Sequence, residues 1–255
     1  MNRVIFNKKG GVGKSTITCN LAAISASKGK TTLVVDLDTQ GNSTHYLLGY
    51  RTDELDSTLA DFYASTLSVS LFPKDFSEFI YETEVPNLYV MPSHPDMDNL
   101  HAKLESRYKI YKLKEALDAI EGFDNIFIDT PPALNFYTLS ALIAADNCII
   151  PFDCDIFSKQ ALYSLLETVE EVKADHNPNL EIEGIVVNQF QNRAKLPAQL
   201  VNELLDDNLK LFKTKISPSV KIRESHSACQ PMIQYAPTHK VTEEFKSLYA
   251  ELKKK

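Results

Sequence analysis

Lys9-Gly10-Gly11-Val12-Gly13-Lys14-Ser15-Thr16 is the stretch on which the reading of this chain turns. Only eight glycines occur in 255 residues, yet three of them fall within these four positions, 10 to 13. On one side lies the apolar run Val4-Ile5-Phe6. On the other, from Ser15 to Lys28, Ile17, Leu21, Ala22, Ile24 and Ser25 recur at helical spacing. A glycine-rich turn between a buried strand and a helix lets backbone N–H groups face inward around phosphate oxygens, and the helix N-terminus adds partial positive charge. Lys14 is then placed to reach β- and γ-phosphates, and the Ser15 hydroxyl to ligate Mg²⁺. The strict Gly-x-x-x-x-Gly-Lys-Ser pattern has glycine where this chain has Lys8, so the loop is a variant.

Outward from the loop, Gly29 closes the helix. Leu33-Val34-Val35, Leu88-Tyr89-Val90-Met91, Ile126-Phe127-Ile128, Cys148-Ile149-Ile150 and Ile185-Val186-Val187 read as further buried strands. Between them, Leu100, Leu104, Tyr108, Tyr111 and Leu117 mark one helix, and Ala161, Leu162, Leu165, Leu166, Val169 and Val172 mark another. The mixed stretch from Ser57 to Pro86 reads as a short helix around Leu59 to Tyr63, a loop, and a second short helix around Phe76 to Tyr81. Short, continuous apolar strands alternating with helices predict an α/β fold of the P-loop NTPase kind, a mostly parallel twisted sheet with helices on both faces. No linker, repeat or low-complexity tract intervenes, so residues 1–255 are expected to form a single domain.

Composition narrows the function. Acidic residues outnumber basic ones by 34 to 27, a formal charge of −7, so the chain is no general polycation and any DNA contact must come from a local patch. No run approaches the about 18 apolar residues of a membrane span, and the N-terminus carries no export signal. Cys19, Cys148, Cys154 and Cys229 form no Cys-x-x-Cys pair, which argues against a disulfide framework or zinc knuckle and for a reducing cytoplasm. His226 and Cys229 lie three apart, but two ligands make a poor metal site.

With Lys9 directly before the paired glycines, the loop resembles the deviant Walker A box of the ParA/MinD family of dimerising ATPases, and closest to it are small ParA/Soj-type partition ATPases. The resemblance implies that ATP binds at Lys9, Gly10, Gly11, Val12, Gly13, Lys14, Ser15 and Thr16, and that Lys9 crosses a dimer interface to the partner's nucleotide. There it would act as an arginine finger does, a cation aimed at charge developing on the transferring phosphoryl group. Val34-Val35-Asp36-Leu37-Asp38-Thr39-Gln40 is similar to the family's switch I segment, with Thr39 in the usual place of proline. By that resemblance Asp38 orients the attacking water, completing a catalytic set with Lys9 and Lys14, and Asp36 supports the metal shell. Ile126-Phe127-Ile128-Asp129-Thr130-Pro131-Pro132 looks like a Walker B strand entering switch II, where Asp129, like Asp36, would hold Mg²⁺ through water beside Ser15. Asn188 stands where the family places an asparagine that hydrogen-bonds adenine, one donor and one acceptor matching the base edge. The similarity continues to Tyr235-Ala236-Pro237 and a closing helix with Val241, Phe245, Leu248 and Leu252.

Between positions 208 and 223 the chain carries Lys210, Lys213, Lys215, Lys221 and Arg223 and no acidic residue. The family binds DNA through basic residues near the position of Lys221. Phosphate contacts need only cations, and dimerisation doubles the patch. The expected protein is therefore cytoplasmic and nucleoid-associated. It is an Mg²⁺-dependent ATPase that dimerises on ATP and binds double-stranded DNA without sequence preference. It positions a plasmid, chromosome origin or protein assembly under a ParB-like or other cargo adaptor. The phosphate loop begins so early in the sequence that a preceding helix-turn-helix, and with it site-specific operator binding, is not expected. Two alternatives share the fold. A MinD-like membrane regulator would need an amphipathic tail, and the segment from Lys246 to Leu252 followed by three lysines is short for one. An iron–sulfur or amidotransferase enzyme would need cysteines or a substrate domain not found here.

Overall fold

The computed structural model describes residues 1–49, 54–68, 75–154, 158–191 and 195–252. The three closing lysines of the tail, and part of the loop expected before Phe76, lie outside the described residues. Among the described residues the glycine-rich turn joins β1 (Asn2–Ile5) to α1 (Lys14–Ser27). β2 (Thr32–Asp36), β4 (Leu88–Met91), β5 (Asn125–Asp129), β6 (Asn147–Asp153) and β7 (Glu181–Asn188) are the other runs read as buried strands. A two-residue β3 (Tyr81–Glu82) adds an antiparallel edge in a sheet ordered β3-β4-β2-β5-β1-β6-β7; every other pairing is parallel.

Two apolar layers explain why these strands have no polar alternation. Val4, Leu33, Val35, Ile126 and Ile128 face one layer, under α3 (Leu59–Thr66), α4 (Met97–Ser106), α5 (Lys112–Ala119), α6 (Phe136–Ala144) and α7 (Ser158–Asp175). Ile5, Val34, Phe127, Ile149 and Val186 face the other, under α1, α2 (Asn42–Leu48), α10 (Met232–Tyr235) and α11 (Lys240–Glu251). Burying a Val, Ile or Phe side chain contributes about 1.5–3 kcal/mol, so strands with both faces covered gain on every residue. α8 (Lys195–Asp206) and α9 (Val220–Ser227) complete the helices.

Two expectations change. The helix expected through Leu100 to Leu117 is broken, because Tyr108 takes a left-handed backbone (φ 54°) and is 86% exposed. A 3₁₀ turn at Lys109–Tyr111 then lets Leu104 and Leu113 reach the core from two separate helices. The second short helix survives only as a 3₁₀ turn, Phe76–Phe79, capped by Asp75, and Tyr81 belongs to the edge strand instead. The turn at Pro86-Asn87, with Asn87 at φ 64°, folds that edge strand back on β4.

The C-terminal ends of the parallel strands converge on one edge. Asp129 stands opposite both Ile5 and Asp36, and Asp153 opposite Asn188. Residues spread from 5 to 188 in sequence are thus brought together where open α/β sheets bind ligands.

Candidate nucleotide site

Gly11 and Gly13 adopt φ of +76° and +89°, the left-handed region that lets successive N–H groups turn toward one centre. Glycine at position 13 is required for a second reason. A Cβ there would lie 2.3 Å from Asn188 Nδ2. That amide donates to Val12 O at 2.8 Å, and Gln189 Nε2 donates to Gly11 O at 3.1 Å, so the end of β7 braces the loop from outside. Asn188, which the resemblance assigns to adenine, here has one amide hydrogen committed to holding the loop.

Lys14 is buried, and its Nζ donates to Lys9 O at 3.1 Å, curling over the loop it would serve. Burial pulls its amine below the ordinary lysine value, and nearby Asp129 and Asp38 pull it back up. Lys9, from the same loop, is half-exposed, with its Nζ 2.6 Å from Asp153 Oδ2. Lys8, which stands in the place of the pattern's first glycine, reaches α7 and donates to Thr168 Oγ1 at 2.8 Å.

Asp36 and Asp129 are completely buried and Asp38 nearly so. Asp36 Oδ2 accepts from Thr44 N (2.7 Å) and Thr44 Oγ1 (2.8 Å), while Asp129 Oδ2 accepts from Ser43 Oγ (2.7 Å). Asp38 Oδ1 caps Gln40 N at 3.1 Å. Burial, reinforced by the neighbouring Asp129, pushes Asp36 well above the usual carboxylate range. Burial also lifts Asp129 to about 6 against the opposing Ser15 and Ser43 hydroxyls, and lifts Asp38. Adjacent buried carboxylates whose pKa values are raised by burial and by neighbouring carboxylates are a site suited to a cation. Among the described residues no three His, Cys, Asp or Glu converge on a metal-sized point. A magnesium ion there would be completed by water and phosphate oxygens around the Ser15 hydroxyl, the way Mg²⁺ is ordinarily held. The donor set fits it.

Sequence reasoning missed the braces. Ser43 and Thr44 lie five to eight residues past the switch aspartates, and only an N-terminal helical turn after Gly41 would have pointed them back. The His226–Cys229 pairing does not form a site: Cys229 Sγ lies 3.6 Å from His45 Nε2, and His226 Nε2 lies 3.0 Å from Thr16 Oγ1.

The basic window is acid-free in sequence but not in space. Residues 210–216 run along the β7 edge, with Lys210 O accepting from Ile185 N and Ile216 O from Phe190 N. Lys215 lies over the Phe190 ring, Lys221 pairs with Glu224 at 2.7 Å, and Glu251 accepts from Lys213 N. Arg223 is exposed on α9, with no ion pair among the described residues.

Comparison with known proteins agrees with this geometry. A family model described as an AAA domain matches residues 3–182, more than half of the chain. The chromosome partitioning protein ParA of Myxococcus xanthus is 35% identical over 98% of this chain and 87% of its own length. The sporulation initiation inhibitor Soj of Bacillus subtilis is 34% identical over 97% and 96%. Among solved structures, the septum site-determining protein MinD of Pyrococcus horikoshii complexed with Mg-ADP superposes with a TM-score of 0.78 at 25% identity, covering 98% of this chain and 94% of that one. No helix among the described residues is long and apolar enough to cross a membrane. With a nucleotide loop at the head of a parallel sheet and ParA-type relatives along almost its whole length, the chain belongs to the ParA family of P-loop ATPases.

Proposed function

We propose that this chain acts as one domain over residues 1–255 and is an Mg²⁺-dependent ATPase that closes into an ATP-bound homodimer. The dimer binds double-stranded DNA without sequence preference and positions or partitions a cargo, and a ParB-like or other adaptor stimulates its hydrolysis. The observation that carries the reading is the different burial and partner of two lysines on one loop. Lys14 is buried and curled over the loop, while Lys9 is half-exposed on Asp153. A half-exposed cation held by a carboxylate on the same edge of the sheet can exchange that partner for a phosphate of a neighbouring subunit.

In this reading Lys14 and the inward N–H groups of residues 10–16 offset phosphate charge, and Asn188 uses its remaining amide hydrogen and oxygen on adenine. Ser15, with Asp36 and Asp129 through water, holds Mg²⁺, which supplies charge neutralisation between the phosphates. Asp38, at the mouth of the same carboxylate cluster, holds the attacking water, and Lys9 of the neighbouring subunit meets the charge developing on the transferred group. DNA contact is assigned to Lys210, Lys213, Lys215, Lys221 and Arg223, and the dimer doubles them. Association with the nucleoid in the cytoplasm follows from that contact.

Binding to unrelated duplexes with and without ATP, across a salt series, tests this. Expected is ATP-dependent binding whose log affinity falls linearly with log salt, about −0.9 per phosphate contacted, and its loss when Lys221→Glu and Arg223→Glu are combined. No ATP-dependent binding by the unaltered protein, with ATP-dependent binding to anionic liposomes in its place, would overturn the DNA reading in favour of a membrane one.

A further inference from the structure

Helix α9 has two sides with different partners. Lys221 and Arg223 face outward and are exposed; Ser225 and His226 face α1 and α2. His226 Nε2 lies 3.0 Å from the hydroxyl of Thr16, the last residue of the phosphate loop. Its ring lies flat on Tyr46 of α2, centroids 4.0 Å apart and planes within 9°. The Tyr46 hydroxyl is 2.9 Å from Ser225 Oγ and accepts from Asn20 Nδ2 at 3.4 Å, while Asn20 Oδ1 accepts from Met232 N at 2.8 Å. α9 and the start of α10 are thus clipped to α1 at two points and to α2 at a third.

α2 is fixed in turn to the carboxylates, because Ser43 donates to Asp129 and Thr44 to Asp36. An unbroken series of bonding contacts therefore runs from the buried aspartates through α2 to the helix that displays Lys221 and Arg223. A second route runs from the phosphate loop through Thr16.

Proton placement makes the second route responsive to a ligand. A phosphate oxygen only accepts, so a Thr16 hydroxyl turned to a nucleotide must donate to it and leave its lone pairs to another donor. His226 meets that need when Nε2 carries the hydrogen. Burial holds His226 below the ordinary histidine value, in keeping with a neutral ring that has one N–H to give.

We propose that His226 is a positioning residue: through the hydrogen bond it gives Thr16, nucleotide occupancy sets the placement of α9 and of the basic side chains on it. This rests on the reading that the loop binds ATP and that α9 faces DNA, and the two are separable by experiment. No relation of this kind is assigned by the resemblance, in which the basic residues act only as phosphate contacts.

The test compares the unaltered protein with His226→Gln, which keeps a donor, and His226→Phe, which keeps a stacked ring without one. Amide hydrogen exchange across residues 220–227 is followed with and without Mg²⁺ and a non-hydrolysable ATP analogue, alongside duplex binding in both states. Melting temperature and secondary structure of each variant are checked first and are expected to stay close to the unaltered values, and every comparison is made at saturating analogue. Expected is analogue-dependent slowing of exchange in α9 for the unaltered and Gln proteins and none for Phe. The nucleotide-dependent gain in DNA affinity, roughly tenfold or more for a coupled pair of sites, should shrink in Phe to about threefold or less. The proposal is overturned if α9 of the Phe variant responds as the unaltered protein does, if Gln fails along with Phe, or if unaltered α9 shows no response. An α9 response without DNA binding by any of the three would leave the coupling standing and remove the DNA reading alone.

Discussion

Asp36 and Asp129 stand directly opposite each other at the ends of neighbouring parallel strands, both fully buried. Burial raises the pKa of both carboxyls, so holding either in its ionised form costs stability. Asp129 is lifted to about 6 from an ordinary 3.8, so its contribution to stability is complete below about pH 4 and is lost as pH rises through 6. Asp129→Asn, a neutral isostere that still accepts from Ser43, should therefore melt higher than the unaltered ligand-free protein at pH 7–8, with the gain fading toward pH 4. The same variant should lose the extra stabilisation given by Mg²⁺ with nucleotide. Thermal melts at four or five pH values read both effects, and a variant equally destabilised at every pH would contradict the assignment.

Gly13 and Asn188 are matched in shape. Gly13→Ala places a methyl 2.3 Å from the Asn188 amide on a backbone at φ +89°, so it should cost about 2 kcal/mol or more and abolish nucleotide binding. Combining it with Asn188→Ala removes the clash and leaves the backbone strain. Chemical denaturation should find the double variant more stable than Gly13→Ala alone, a non-additivity expected only for groups in contact. Simple addition of the two single effects would show that Asn188 does not press on the loop.

Lys9 and Asp153 form a half-exposed pair, a class worth at most about 1 kcal/mol. Lys9→Ala and Asp153→Asn should each move stability by less than that. The lysine can consequently leave Asp153 at little cost. Hydrolysis should separate the two substitutions, with Lys9→Ala lowering turnover by about 10³-fold or more, as removal of a finger cation does. A loss of stability in Lys9→Ala large enough to account for lost turnover would point to a structural lysine instead.

Much of this was legible in the sequence for identifiable reasons. Strands buried on both faces, such as Leu33-Val34-Val35 and Ile126-Phe127-Ile128, announce themselves as continuous apolar runs. The loop glycines sit where φ must be positive. What the sequence hid depends on distance along the chain. Asp153 faces Lys9 across 144 residues, and His226 meets Thr16 across 210. The Leu100-to-Leu117 pattern misled because helical spacing counts apolar residues without knowing that Tyr108 has no surface to cover. The acid-free window was an incomplete description in the same way, since Glu224 and Glu251 reach it from outside its sequence bounds.

Whether Lys9 completes the site of a neighbouring subunit is read out by mixing Lys9→Ala with Asp38→Ala. Each alone should be nearly inactive. In a mixed dimer the Lys9→Ala subunit keeps its own Asp38 and receives the intact Lys9 of its neighbour. Equal amounts pairing at random should then restore about a quarter of the unaltered turnover per subunit, since half the dimers are mixed and each holds one complete site. A mixture as inactive as its components, or full turnover by Lys9→Ala alone, would contradict the account.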